Sequence, residues 1–201
     1  MHRRFYIGCT HFTHHNIITF LDKEGNRIRP FDSVEEMDEL MVENWNKVVR
    51  PVDTVNLVGD VCINRKALSI LERLNGRKIL IKGNHDIFKL SDYSKHFDDI
   101  RALEVKPGAG AIVSHVPIHE GSLKPGWVNI HAHIHQNLIP SPKYLNVCVE
   151  HINYTPISWD ELYIIIKKRQ EMIGEQDYGL GAGDRGVPEE MRSSSVGSPE
   201  V

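Results

Sequence analysis

The sequence predicts an α/β fold, and three observations carry that expectation. Short runs of β-type residues end repeatedly in glycine or a polar group, apolar residues at helical spacing follow recognisable caps, and 201 residues with 40% hydrophobic content suffice for one substantial core. The strand runs are "RRFYIG" (Arg3–Gly8), "DTVNLVG" (Asp53–Gly59), "RKILIKG" (Arg77–Gly83), "AIVSH" (Ala111–His115), "WVNIHAH" (Trp127–His133) and "KYLNVCVE" (Lys143–Glu150). Helices separate several of them. Ser33 and Glu36 form a capping box ahead of Val34, Met37, Leu40, Met41, Trp45 and Val48, whose spacing draws one apolar face. A second helix starts at Asn64, carries Ala67, Leu68, Leu71 and Leu74, and stops at Asn75-Gly76. A third is capped by Ser158 with Glu161. Alternation of strand and helix gives the α/β class, and the later strands are expected to add hairpin-like, antiparallel pairs.

One domain is expected over residues 1–173. From Gly174 the chain turns rich in Gly, Ser, Pro and charge, so residues 174–201 read as a disordered tail. The formal net charge of −3 gives no global electrostatic reason to bind a nucleic-acid backbone. No apolar run approaches the roughly 20 residues of a membrane span, and "MHRRFYIG" lacks a signal-peptide core. A cytoplasmic protein without a membrane partner is expected. Cys9, Cys62 and Cys148 are an odd, scattered set that suits a reducing compartment.

The 12 histidines are the anomaly, because imidazole is both a common metal ligand and a proton shuttle near neutral pH. The polar clusters sit where strands end: Cys9-Thr10-His11, Gly59-Asp60, Gly83-Asn84-His85-Asp86, His115 and Ala132-His133-Ile134-His135. Strand ends are where α/β folds collect reactive groups. A Gly-Asp after a strand is usually only a turn, and "GNHD" alone could be another. "HAHIH" is harder to dismiss, since neighbouring imidazoles repel on protonation unless a metal holds them neutral. Together the imidazoles, carboxylate, amide and thiol make a ligand mixture for one or two divalent metals.

In this order the series Cys9-x-His11, Gly59-Asp60, Gly83-Asn84-His85-Asp86, His115, Ala132-His133-x-His135 resembles the calcineurin-like metallophosphoesterase superfamily, whose pattern is D-x-H, G-D, G-N-H-D/E, H, G-H-x-H. The string "THFTHHNII" is similar to that of small bacterial and phage-type members. The resemblance spans Arg3 to Glu150. It implies a two-sheet αββα sandwich, mixed sheets with flanking helices, and a dinuclear centre of divalent manganese, zinc or iron. By the same resemblance His11, Asp60 and His135 would hold the first metal, with Cys9 at the position of its remaining ligand, and Asp60, Asn84, His115 and His133 the second. His85 would protonate the leaving oxygen and Asp86 would orient its imidazolium. The implied activity is phosphoester hydrolysis, leaning to a phosphodiesterase on a small nucleotide or nucleic acid, with a phosphomonoesterase as the alternative.

Two positions depart from the pattern. Ala132 replaces a glycine, which matters only where positive φ is required. Cys9 replaces the first Asp, exchanging a hard ligand for a soft one. Three readings of Cys9 stay open: a thiolate ligand, a weakened first site, or an engineered substitution, and a non-catalytic metal-binding scaffold is the rival from another class. A cysteine-nucleophile phosphatase lacks support, because Thr10, His11 and Phe12 follow the cysteine where a Gly- and Arg-rich anion loop is needed. His14 is a candidate substrate contact or a helix cap, and His119 a candidate cleft residue.

Overall fold

The computed structural model describes residues 2–179. Its first sheet contains β1 (Arg4–Ile7), β2 (Thr54–Leu57), β3 (Arg77–Ile81) and β4 (Asp99–Arg101), all parallel, with β9 (Ile157–Ser158) antiparallel against β1. The order is β4-β3-β2-β1-β9. The second sheet runs β5 (Leu103–Lys106), β6 (Ala111–Ser114), β7 (Val128–His131) and β8 (Tyr144–Asn146) in that order. Only β5 is antiparallel there, so the expected antiparallel pairing of the later strands holds for β5–β6, and for β9 against β1 in the first sheet, but fails for β6–β7 and β7–β8. Residues 115–127 and 132–143 separate the later strands, long enough to return the chain to a parallel start rather than turn it back on itself. Both sheets are mixed, and the class is α/β with flanking helices.

Local signals explain the helices. Helix α1 (Val34–Val48) starts where Ser33 Oγ accepts from the Glu36 N–H at 3.1 Å. The return bond goes to the N–H of Asp32, at 3.0 Å, so the box closes one residue early. Val34, Met37, Met41, Val42 and Trp45 are its buried stripe. The next segment is also capped as read, with Asn64 accepting from the Lys66 N–H, but Arg65–Arg73 winds as a 3₁₀ helix. Its apolar residues pair at a spacing of three, Ala67 with Ile70 and Leu68 with Leu71, which is the eclipsed repeat a 3₁₀ helix presents. After the short α2 (Leu90–Tyr93), helix α3 (Trp159–Gly179) opens on a reciprocal box between Ser158 and Glu161. It continues past Gly174, where the composition predicted its end; one glycine in open space weakens a helix by only about 1 kcal/mol. The remainder of the expected tail, residues 180–201, lies outside the described residues.

Alternation along β1 divides the core. Phe5 and Ile7 join Val55, Leu57 and Leu80 with the stripe of α1 and the 3₁₀ segment. Tyr6, Val58 and Ile81 point the other way, to Ala111, Val113, Val128 and Ile130 of the second sheet and Leu162 and Ile166 of α3. Between the sheets Glu104 is buried and accepts from Arg4, Arg101, Tyr6 and Asn56. At the other end of the first sheet Asp53 receives the Arg3 and Arg50 N–H groups, 2.8 and 3.0 Å, and the Arg50 guanidinium.

The sheets converge where β1, β2 and β3 end, and glycine permits it. A Cβ on Gly8 would lie 2.5 Å from that of Ala132, and one on Gly83 2.3 Å from Asp60 Oδ1. At Gly59, where φ is +77°, it would meet His115 Nδ1 at 2.4 Å.

Gly83→Ala should therefore lower unfolding free energy by about 1–3 kcal/mol in urea titration, while Gly108→Ala, which meets nothing within 4 Å, should stay within about 0.5 kcal/mol. A second expectation concerns acid. The Arg50 guanidinium, with the two N–H groups, holds the Asp53 carboxyl well below the usual range against the effect of burial. Folding thus depresses this pKa, so its contribution is complete above the unfolded value of about 4 and fades as pH falls below it. Urea midpoints of Asp53→Asn should decline less steeply than wild type across that acid limb.

Candidate metal centre

The loop after β1 is zipped to the loop after β2 by main-chain bonds: Cys9 N–H to Gly59 O, His11 N–H to Asp60 O, and Phe12 N–H to Val61 O. Cys9, His11, Asp60, His133 and His135 all adopt left-handed backbone, with φ of 53, 47, 55, 71 and 50°. Each such non-glycine residue costs about 1–2 kcal/mol, and strain of this kind collects at functional sites. Its concentration on the residues singled out by their chemistry is the first structural mark of a site.

Their donor atoms converge in two groups. Those of Cys9, His11 and His135 lie within 4.8 Å of one another, as do those of Cys9, Asp60 and His115. Cys9 is common to both. Its Sγ accepts from the His133 N–H at 3.1 Å and also neighbours Cys148. Asp60 Oδ2 stands between two imidazoles, 3.1 Å from His115 Nε2 and 3.8 Å from His11 Nε2, while Oδ1 accepts from the His85 N–H at 2.9 Å. Asn84 Oδ1 completes the second group, 2.9 Å from His115 Nε2. His133 stands beside His115, ring centroids 5.1 Å apart, outside the two tight groups.

Two features test whether a cation fits here. Both ring nitrogens of His11 are buried without a hydrogen-bond partner, an arrangement that leaves a polar ring unpaid for unless something else contacts it. His115 Nδ1 faces the Val58 carbonyl at 2.8 Å and so carries a proton, leaving Nε2 turned to the oxygens of Asp60 and Asn84. Those oxygens require a positive centre between them, either a second proton on the ring or a metal ion. The donor set fits a divalent cation.

The electrostatics divide the donors. Burial, with the nearby Arg29 guanidinium, drops the pKa of His11 to about 3, so its imidazole is neutral and ready to coordinate. Burial also works against ionisation of Asp60, but His115 and the His85 N–H outweigh it and hold the carboxyl at about 2. Burial pushes the Cys9 thiol far up, with Cys148 and Asp60 adding to it. A cation is what would reverse that.

Other expected site residues separate. His85 is exposed over the cluster, its ring centroid 5.7 Å from that of His11. Asp86 does not orient it: the Asp86 carboxylate is fully buried and accepts from the N–H groups of Asp60, Val61 and Gly83 at 2.9, 3.0 and 2.8 Å. The sequence places it next to His85, but the turn sends the two side chains in opposite directions. His14 makes no capping hydrogen bond; its ring sits 5.8 Å from that of His11 and lines a cavity of about 490 Å³ with Asn64 and Arg65. His119 is remote in role, its Nδ1 accepting from the Gly121 N–H within its own turn. Ala132 keeps negative φ, so the missing glycine is compensated by Gly8 opposite.

Residues that the sequence reading did not single out complete the site. Arg29, fully buried, donates to the carbonyls of Cys9 and Thr10 and to Glu150, which also meets His135. Asp38 of α1 accepts from the Thr13 N–H and hydroxyl, with burial raising its pKa to about 6. Glu150 ends a strand run, the pattern that found the ligands, whereas Arg29 lies in a loop with no pattern.

What the fold and site define is an α/β protein of two mixed sheets with a buried cluster of metal-donor side chains at its strand ends. The chain belongs to the same family as the uncharacterized protein MJ1445 of Methanocaldococcus jannaschii, with 37% identity over 180 residues, 84% of this chain and 93% of the relative. It is also similar to the crystal structure of the protein of unknown function AQ665 from Aquifex aeolicus, at a TM-score of 0.64 and 27% identity, covering 81% of this chain and 98% of that one. No family model matches the sequence. Among the described residues no helix is long and apolar enough to cross a membrane.

Asp86→Ala should strip three buried N–H groups of their acceptor and lower unfolding free energy by more than about 3 kcal/mol. Asp86→Asn, which keeps one acceptor oxygen, should retain part of that stability in the same urea titration.

Proposed function

We propose that this protein is a metal-dependent phosphoesterase of the calcineurin-like sandwich type, with two divalent ions held by Cys9, His11, Asp60 and His135 and by Asp60, Asn84, His115 and His133. The observation that carries the reading is the convergence of the two donor groups, with His11 left unpartnered inside them. Bound ions would supply Lewis acidity and acidify the attacking water, the chemistry that in-line phosphoryl transfer needs. The chain's own residues account for the rest. Asp60 Oδ2, a member of the second group, also stands 3.8 Å from His11 Nε2 of the first and is the natural shared ligand. His85, exposed above the cluster and fixed by its N–H to Asp60, delivers the proton to the leaving oxygen. Arg65 and His14 line the neighbouring cavity, where they would offer cationic and hydrogen-bonding groups to a phosphoester.

The substrate reading is a phosphodiester of a small nucleotide or nucleic acid, with a phosphomonoester as the alternative. Cys9 favours zinc or iron over manganese, since a sulfur ligand is soft. Three free, buried cysteines agree with a reducing, cytoplasmic setting. A non-catalytic metal-binding scaffold is the second reading, supported by the burial that keeps the Cys9 thiol protonated.

Metal content after loading with manganese, zinc or iron, followed by hydrolysis of bis-nitrophenyl and nitrophenyl phosphates, decides among these. Turnover that falls on Cys9→Ser identifies the thiolate as ligand, whereas turnover appearing only in Cys9→Asp identifies the scaffold. No bound metal and no hydrolysis in either protein defeats the phosphoesterase reading. In an active enzyme, His85→Ala should slow a poor leaving group by about 10²-fold or more and spare nitrophenolate.

A further inference from the structure

We infer that Glu150, anchored by Arg29, is the positioning residue that fixes the tautomer of His135 and aims its Nε2 at the first metal position. The inference rests on the metal-centre reading and adds to it two residues outside the ligand set. Glu150 Oε1 lies 3.1 Å from His135 Nδ1 and 2.8 Å from Arg29. An ionised carboxylate only accepts, so Nδ1 must carry the ring proton, and the lone pair is left on Nε2. The Nε2 side is the one free for the cluster, whose other members are Cys9 and His11.

The same guanidinium reaches the opposite half of that cluster. Arg29 donates to Cys9 O at 2.6 Å and Thr10 O at 3.1 Å, holding the main chain that carries both Cys9 and His11. One buried ion pair thus spans the ligand loop after β1 and the ligand loop after β7. Packing alone does not account for it. Arg29 is fully buried, Glu150 nearly so, and Glu150 Oε2 has no partner, so the pair carries a desolvation cost that an apolar pair of similar volume would not. Carboxylates bound to the far nitrogen of a metal-ligating histidine set its tautomer and orientation, and their loss weakens metal binding by about 10–100-fold.

The test uses the full chain and Co²⁺ as the probe. In the metal-free protein, nitrogen-15 NMR should show His135 protonated on Nδ1; a ring protonated on Nε2 overturns the inference without any variant. Glu150→Gln should then shift His135 towards the other tautomer and weaken the tighter Co²⁺ step by about 10–100-fold. Made in a His135→Ala background, the same change should cost less than about threefold, because the residue through which it acts is gone. An equal loss in both backgrounds assigns Glu150 a merely structural role and overturns the proposal. Wild-type protein that binds no Co²⁺ defeats the metal-centre reading, an outcome separate from the tautomer, which is read without metal.

Discussion

The Asp86 carboxylate is the interaction on which the strand-end architecture depends. It is fully buried and gathers the N–H groups of Asp60, Val61 and Gly83, which stand at the ends of neighbouring parallel strands and have no ladder partner there. Burial raises its pKa, and the three N–H groups oppose that rise. By holding these turns it sets the position of the Asp60 backbone. The Asp60 side chain can then stand between His11 and His115 while its other oxygen receives the His85 N–H. A residue that looks like part of a catalytic motif is therefore the brace beneath it.

The donors reach one point because glycine and left-handed backbone act together. Gly8, Gly59 and Gly83 remove the Cβ atoms that would keep the sheets and turns apart. Left-handed φ at Cys9, Asp60, His133 and His135 then turns side chains out of the strand direction and into the gap. Tertiary contacts sustain this strain: the β1 loop bonds to the β2 loop, Asp38 holds Thr13, and Arg29 holds the Cys9 and Thr10 carbonyls. Each element that positions a donor also shields it from water, which is why His11 loses its affinity for protons and Cys9 resists giving one up.

Cys9 sits at the balance of these effects. Its Sγ belongs to both donor groups yet also to the inter-sheet core, beside Cys148. In apolar surroundings it is an inert thiol; beside two dications it is a soft ligand. The protein surrounds it with one N–H donor, from His133, and an anion, Asp60, so ionising the sulfur would take positive charge brought from outside the chain.

Much of this was legible in the linear sequence. The caps at Ser33, Asn64 and Ser158 were readable because side-chain hydrogen bonds to nearby N–H groups are local. So was the gathering of Cys9, His11, Asp60, Asn84, His115 and His135, since each follows a strand whose end a glycine or polar residue marks. Tertiary structure alone decided what depends on contacts far apart in the chain. The parallel order of β6, β7 and β8, the turning of Asp86 away from His85, the separation of His119 and the pairing of Arg29 with Glu150 are of this kind. Residues 29 and 150 share no local pattern; only burial, which makes an unpaired guanidinium costly, required them to meet.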